Sequence, residues 1–134
     1  MSVPTYLPAL GRLLIALIFV LSGLSKIGAP ANTIAYIQSS GAPFAPGAFA
    51  VAVIVEVIGG LALLVGFQTR LTAGALAIFT LATAVLFHNN MADQNQMIHF
   101  LKNVAITGGL LQVVAFGAGA FSLDNWRKRV SVAA

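Results

Sequence analysis

The sequence predicts an all-α, four-helix transmembrane bundle, and three observations carry that prediction. Of 134 residues, 59% are hydrophobic and only 7% charged, whereas soluble chains average near 25% charged. Seven Lys/Arg and three Asp/Glu cannot coat a soluble globule of this size. Four apolar stretches are each long enough to cross a hydrocarbon core about 30 Å thick, which needs roughly 20 helical residues. Continuous runs such as Leu13–Leu21 exclude the alternating strands of a membrane barrel.

The first span is read at 8–27, opened by Pro8 in the first helical turn, where a missing N–H costs nothing. Between Arg12 and Lys26 it carries only uncharged residues. Those two charges lie too late for a cleaved signal peptide, so the segment is expected to stay as a span. The second span, 46–67, is interrupted only by Glu56. The third covers 71–88 and the fourth 99–117, with Lys102 near its start. The 28–45 connection is bracketed by Gly28-Ala29-Pro30 and Gly41-Ala42-Pro43 and predicts a short interfacial helix. The loop Asn89 to Met97 is polar, and the basic tail from Asn125 carries Trp126 at interfacial depth. One integral membrane domain over 1–134 accounts for all of this.

Orientation follows from the basic residues. Arg12, Arg70, Arg127, Lys128 and Arg129 fall on one side and only Lys26 and Lys102 on the other, which places both termini in the cytoplasm. Cysteine is absent, so disulfide, thiol-redox and thiolate-metal chemistry are excluded. The scattered basic residues build no phosphate-tracking face, and nucleic acid is excluded as a partner. Lipid tails do not drive helices together, so packing is expected through small residues four apart: Ala62 and Gly66, Ala73 and Ala77, Ala105 and Gly109.

Ionisable residues inside a span cost about 2.5–3.5 kcal/mol each on insertion scales and mark a bundle interior or a functional site. At about 100° per residue, Arg12 and Lys26 share a stripe with Ala16, Phe19 and Gly23. Glu56 shares a face with Ala52, Gly59, Gly60 and Leu63. It lies roughly 15 Å from the outer end of its helix, near the midplane. On the fourth span His99, Lys102, Asn103, Ile106 and Gly109 form a stripe, and His88 ends the third. A midplane acid stays ionised when a cation reaches it, and Lys102 or Arg12 is the expected partner; otherwise Arg12 and Lys26 snorkel to the two interfaces. His88 and His99 are too few for a catalytic metal, which usually takes three protein ligands. No metal is expected, and both histidines read as interfacial hydrogen-bonders.

Taken in order, several strings resemble one family. They are Gly11-Arg12-Leu13-Leu14, Leu21-Ser22-Gly23-Leu24-Ser25-Lys26, Glu56-Val57-Ile58-Gly59-Gly60, Gly66-Phe67-Gln68-Thr69-Arg70, Leu86-Phe87-His88-Asn89, Phe100-Leu101-Lys102-Asn103 and Gly117-Ala118-Gly119-Ala120-Phe121-Ser122-Leu123-Asp124. Together they resemble the DoxX family of small bacterial inner-membrane proteins, with alanine at 118 where that family frequently has proline. The resemblance implies a four-helix bundle in the cytoplasmic membrane and a link to quinone-dependent oxidation.

The expected function is an inner-membrane bundle that binds a small apolar ligand, a quinone or a lipid, as a subunit or accessory of a quinone-linked redox system. Glu56, Lys102 and Asn103 would line the polar end, Lys26, His88 and His99 the outer mouth, and Phe19, Phe79 and Phe87 the apolar walls. Arg12 completes the buried polar set. No nucleophile–base pair or phosphate loop is present, so autonomous catalysis is not expected. Two alternatives remain open: a structural or assembly protein without a ligand, and a proton-coupled transporter that would have to be a homo-oligomer.

Overall fold

The computed structural model describes residues 4–133. Its helices are α1 (Leu7–Gly28), α2 (Pro30–Ser39), α3 (Ala45–Ile54), α4 (Gly60–Val65), α5 (Thr69–Phe87), α6 (Gln94–Phe116) and α7 (Leu123–Ala133), with no strand among the described residues. A π-helical turn, Val55–Gly59, joins α3 to α4 into one continuous rod. Four rods are long and apolar enough to span a bilayer: Leu7–Gly28, Ala45–Val65, Thr69–Phe87 and Gln94–Phe116. Their even number puts the start of the first rod and the end of the fourth on one face of the bundle.

The element boundaries have local causes. Prolines occupy the first turns of α1, α2 and α3. Gly66, at φ +72°, ends α4 in a left-handed cap in which Phe67 N donates to Ala62 O at 2.9 Å and Gly66 N to Leu63 O at 3.2 Å. Gly66 is therefore a turn residue rather than half of a small-residue packing pair with Ala62. The fourth rod starts five residues before the expected position. Asp93 adopts an extended conformation and accepts from Gln96 N at 3.0 Å, so Gln94–Met97 form a capped polar first turn. The basic tail, for which the sequence predicts no secondary structure, is helical as α7, and Ser122 Oγ accepts from Asn125 N at its start. The 28–45 connection does hold a short helix, α2.

The dry core is small: Ala16, Phe19, Leu63, Ala73, Leu76, Ala77 and Leu110. The buried stripe of α1 is Arg12, Ala16, Phe19 and Gly23, as its periodicity requires. Close approach of α1 to the second rod sets the geometry of the site. A Cβ on Gly60 would meet Val20 Cγ2 at 2.9 Å and Phe19 Cβ and Val20 N at 3.2 Å, and one on Gly23 would meet Val57 and Glu56. The outer faces are apolar; Leu14, Leu21, Ile58 and Ile78 are all more than half exposed. In a protein that must sit in lipid, such a surface is the matching one.

Candidate functional site: an ion pair in a cavity at the α1 C-terminal end

The polar residues fall into two clusters at opposite ends of α1. Arg12 and Lys26 are fourteen residues apart, about 21 Å along the helix, so they cannot serve one carboxylate. In the half of the bundle that contains the α1 C-terminus, Lys26 Nζ donates to both oxygens of Glu56, at 3.0 and 2.8 Å. It also donates to Ser22 Oγ at 2.8 Å, and Ser22 in turn donates to Glu56 Oε1 at 3.2 Å. The carboxylate side chain is 8% exposed and the lysine 24%.

This pairing corrects two expectations. Glu56 is held by Lys26, not by Lys102 or Arg12, and neither Lys26 nor Arg12 snorkels. The cause is the small side of α1. Gly23 lets α1 approach the π-turn until Glu56 lies against it, and Ser22 and Lys26 are the polar residues one position before and three after that glycine. The π-turn itself carries Glu56. Such turns insert one extra residue into a helix and recur at functional sites. Ser22 and the turn were both missed from sequence; the Gly59-Gly60 pair just after Glu56 was the available sign.

Around the ion pair lies a cavity of about 500 Å³. Lys26, Glu56, His88, Lys102 and Asn103 all line it, and Phe19, Phe79 and Phe87 form part of its walls. Five of the seven expected polar residues thus converge on one space. Tyr36 of α2 stacks on Phe87, centroids 5.8 Å apart, so the short helix closes one side. His99 stands behind the wall, stacked on His88 at 5.1 Å. Lys102 Nζ donates to His99 Nδ1 at 3.2 Å, and His88 Nδ1 lies 3.1 Å from Gln96 Oε1. No group of three His, Cys, Asp or Glu gathers among the described residues.

Arg12 belongs to the other end. Its guanidinium is 1% exposed and donates to Leu63 O at 3.0 Å, Leu64 O at 3.1 Å and Phe121 O. A cation on the last carbonyls of α4 satisfies acceptors that the helix leaves unpaired and complements its negative end. Across the turn, Asp124 serves the next helix. Its oxygens accept from Gln68 N and Thr69 N, both at 2.8 Å, and from Thr69 Oγ1 at 2.6 Å. Partial burial pushes the Asp124 carboxyl up, but these hydrogen bonds and the nearby Arg127 charge outweigh it and hold the group below the usual carboxylate range. The 66–70 string and the Gly117–Asp124 ending therefore form a latch that ties the second, third and fourth spans together. Thr69 and Asp124 both fall in strings that carry the family resemblance, but their pairing was not legible, because a cap formed across 55 residues has no local pattern.

The DoxX family model matches residues 7–89. The chain is 40% identical over 116 residues to the inner membrane protein YqjF of Escherichia coli K12, covering 85% of this chain and 86% of that one. It is 37% identical over 121 residues to the inner membrane protein YphA of the same organism, covering 87% and 86%. No solved structure matches it. The family match takes in the whole Ser22–Lys26–Glu56 cluster, and the two relatives extend the likeness over most of the chain: this four-helix transmembrane bundle belongs to the DoxX family.

Proposed function

We propose that the chain is an inner-membrane protein, with both termini in the cytoplasm, whose outer-half cavity binds a small amphiphile, a quinone or a lipid. In this reading it acts as a subunit or accessory of a quinone-linked redox system rather than as an autonomous enzyme. The location is supported by two relatives named as inner membrane proteins and by the basic residues concentrated toward the termini. The ligand reading rests on one observation: an apolar-walled cavity of about 500 Å³ converging on Lys26, Glu56, Lys102 and Asn103. Ligand sites are commonly clefts of about 300–1,000 Å³ with a few polar groups that fix orientation. Lys102 and the Asn103 amide supply donors for a carbonyl or phosphoryl head, and Phe19, Phe79 and Phe87 face the ring or chain.

Equilibrium binding of decyl-ubiquinone to the protein in mild detergent tests this reading, with short-chain phosphatidylethanolamine as the lipid arm. Saturable binding of one probe, weakened at least about tenfold in Asn103→Leu, is expected. Absence of saturation for both probes in the wild type refutes it. A second reading draws on the closure of the Ser22–Lys26–Glu56 triad, which leaves no oxygen of Glu56 without a donor: the pair would fix helix register and nothing more. That reading requires variants of the pair to lose stability while Asn103→Leu changes no ligand affinity.

A further inference from the structure

A second cavity, of about 1090 Å³, opens at the opposite end of the bundle, between the start of α5, the end of α6 and helix α7. Arg70, Arg127 and Lys128 line it, and among the described residues the one acid on its wall is Asp124. That carboxylate is already engaged by three donors from Gln68 and Thr69. None of the three basic side chains has an ion-pair partner, since Lys26–Glu56 is the salt bridge among the described residues. Among the described residues the cavity wall therefore carries three cations against one carboxylate.

Two of these cations are placed rather than free. Arg127 lies over the Phe67 ring, 5.8 Å from its centroid. Arg70 lies against Gly117, at φ +82°, where a Cβ would stand in van der Waals contact with Arg70 Nε at 3.4 Å. The rim facing away from the latch is apolar: Leu71 is 73% and Phe116 80% exposed, and both sit at the ends of spanning helices. Trp126, 62% exposed on α7, is of the type that concentrates at the lipid–water boundary.

From this combination we infer that the α5–α6–α7 cavity seats the headgroup of an anionic phospholipid, with its acyl chains running past Leu71 and Phe116. Charge complementarity selects an anion, and basic pockets at the end of a bundle bind such headgroups. The apolar rim selects a lipid over a free phosphate, which would have no use for it. This seat is independent of the ion-paired cavity at the other end.

The test is native mass spectrometry of the full chain in detergent, with dioctanoyl phosphatidylglycerol and dioctanoyl phosphatidylcholine offered together, and inorganic phosphate as a separate arm. Wild type is expected to retain phosphatidylglycerol preferentially. The double variant R70Q/K128Q, which leaves Arg127 and the Asp124 latch in place, should lower that preference by roughly twenty-five-fold, from about fivefold per basic side chain at an anionic surface. Should the double variant not fold, R70Q and K128Q read singly should each lower it about fivefold. Arg129→Gln, outside the cavity wall, should leave it unchanged. Equal retention of the two lipids by wild type overturns the inference. So does an equal loss in Arg129→Gln, which would mark diffuse surface charge, or inorganic phosphate that displaces the phosphatidylglycerol at low millimolar concentration.

Discussion

Replacing Lys26 by methionine keeps an unbranched chain of similar length but removes the cation from a carboxylate that is 8% exposed. Glu56 would then keep one hydrogen bond, from Ser22, in a setting with few other polar atoms. Breaking a buried pair by removing one partner typically costs about 3–5 kcal/mol, most of it the uncompensated charge left behind. Replacing both partners by neutral groups removes that charge. Lys26→Met and Glu56→Gln should therefore each lose about 3 kcal/mol, while the double variant loses only about 1 kcal/mol, a coupling energy of about 5 kcal/mol. Thermal unfolding in mild detergent reads this as a drop of about 10 °C for each single variant, at about 3 °C per kcal/mol for a chain of this size. The double variant should lie within about 4 °C of wild type. Single losses that simply add in the double variant would refute the pairing of Lys26 with Glu56.

The remaining predictions concern the latch and the helix crossing. Arg12→Met deletes donors to three carbonyls and should cost about 2–4 kcal/mol, with faster proteolysis in the 117–122 segment than in wild type. Asp124→Ala removes the cap on α5 and should cost about 1 kcal/mol or more in unfolding experiments at pH 7. Because the folded-state value of Asp124 is depressed, its contribution is fully present above the ordinary carboxylate range and disappears as pH falls through the folded value. An acid titration of stability should thus be flatter in Asp124→Ala than in wild type; parallel curves would contradict it. Gly23→Val overpacks the contact between α1 and the π-turn and should cost about 1–3 kcal/mol, while weakening ligand binding by pulling Glu56 away from Lys26.

The spans were legible because hydrocarbon leaves the chain little choice: a run such as Leu13–Ser25 can satisfy its backbone only as a helix. The stripe of Arg12, Ala16, Phe19 and Gly23 follows from helical period alone, and so does the shared face of Lys102 and Asn103 with Ile106. The partner of Glu56 was not legible. Depth arithmetic ranks Lys102 and Arg12 by distance from the midplane, but the outcome depends on which helix comes closest, and Gly23 decided that. Arg12 shows the same limit: a buried guanidinium asks for acceptors, yet the carbonyls that answer belong to Leu63, Leu64 and Phe121, whose placement depends on a cap and a turn elsewhere. The helix of the tail was not legible either, because it lies outside the span pattern and is anchored by Ser122 and by the contact of Asp124 with Gln68 and Thr69.

The most direct measurement is photo-crosslinking with a diazirine-bearing quinone or lipid in native membranes, followed by mapping of the labelled positions. The account predicts adducts on cavity-facing residues, Phe19 and Ile106 among them, that are lost when Ala52, on the same wall, is changed to tryptophan. Adducts confined to outward-facing residues such as Leu14 and Ile78, and indifferent to Ala52→Trp, would contradict it.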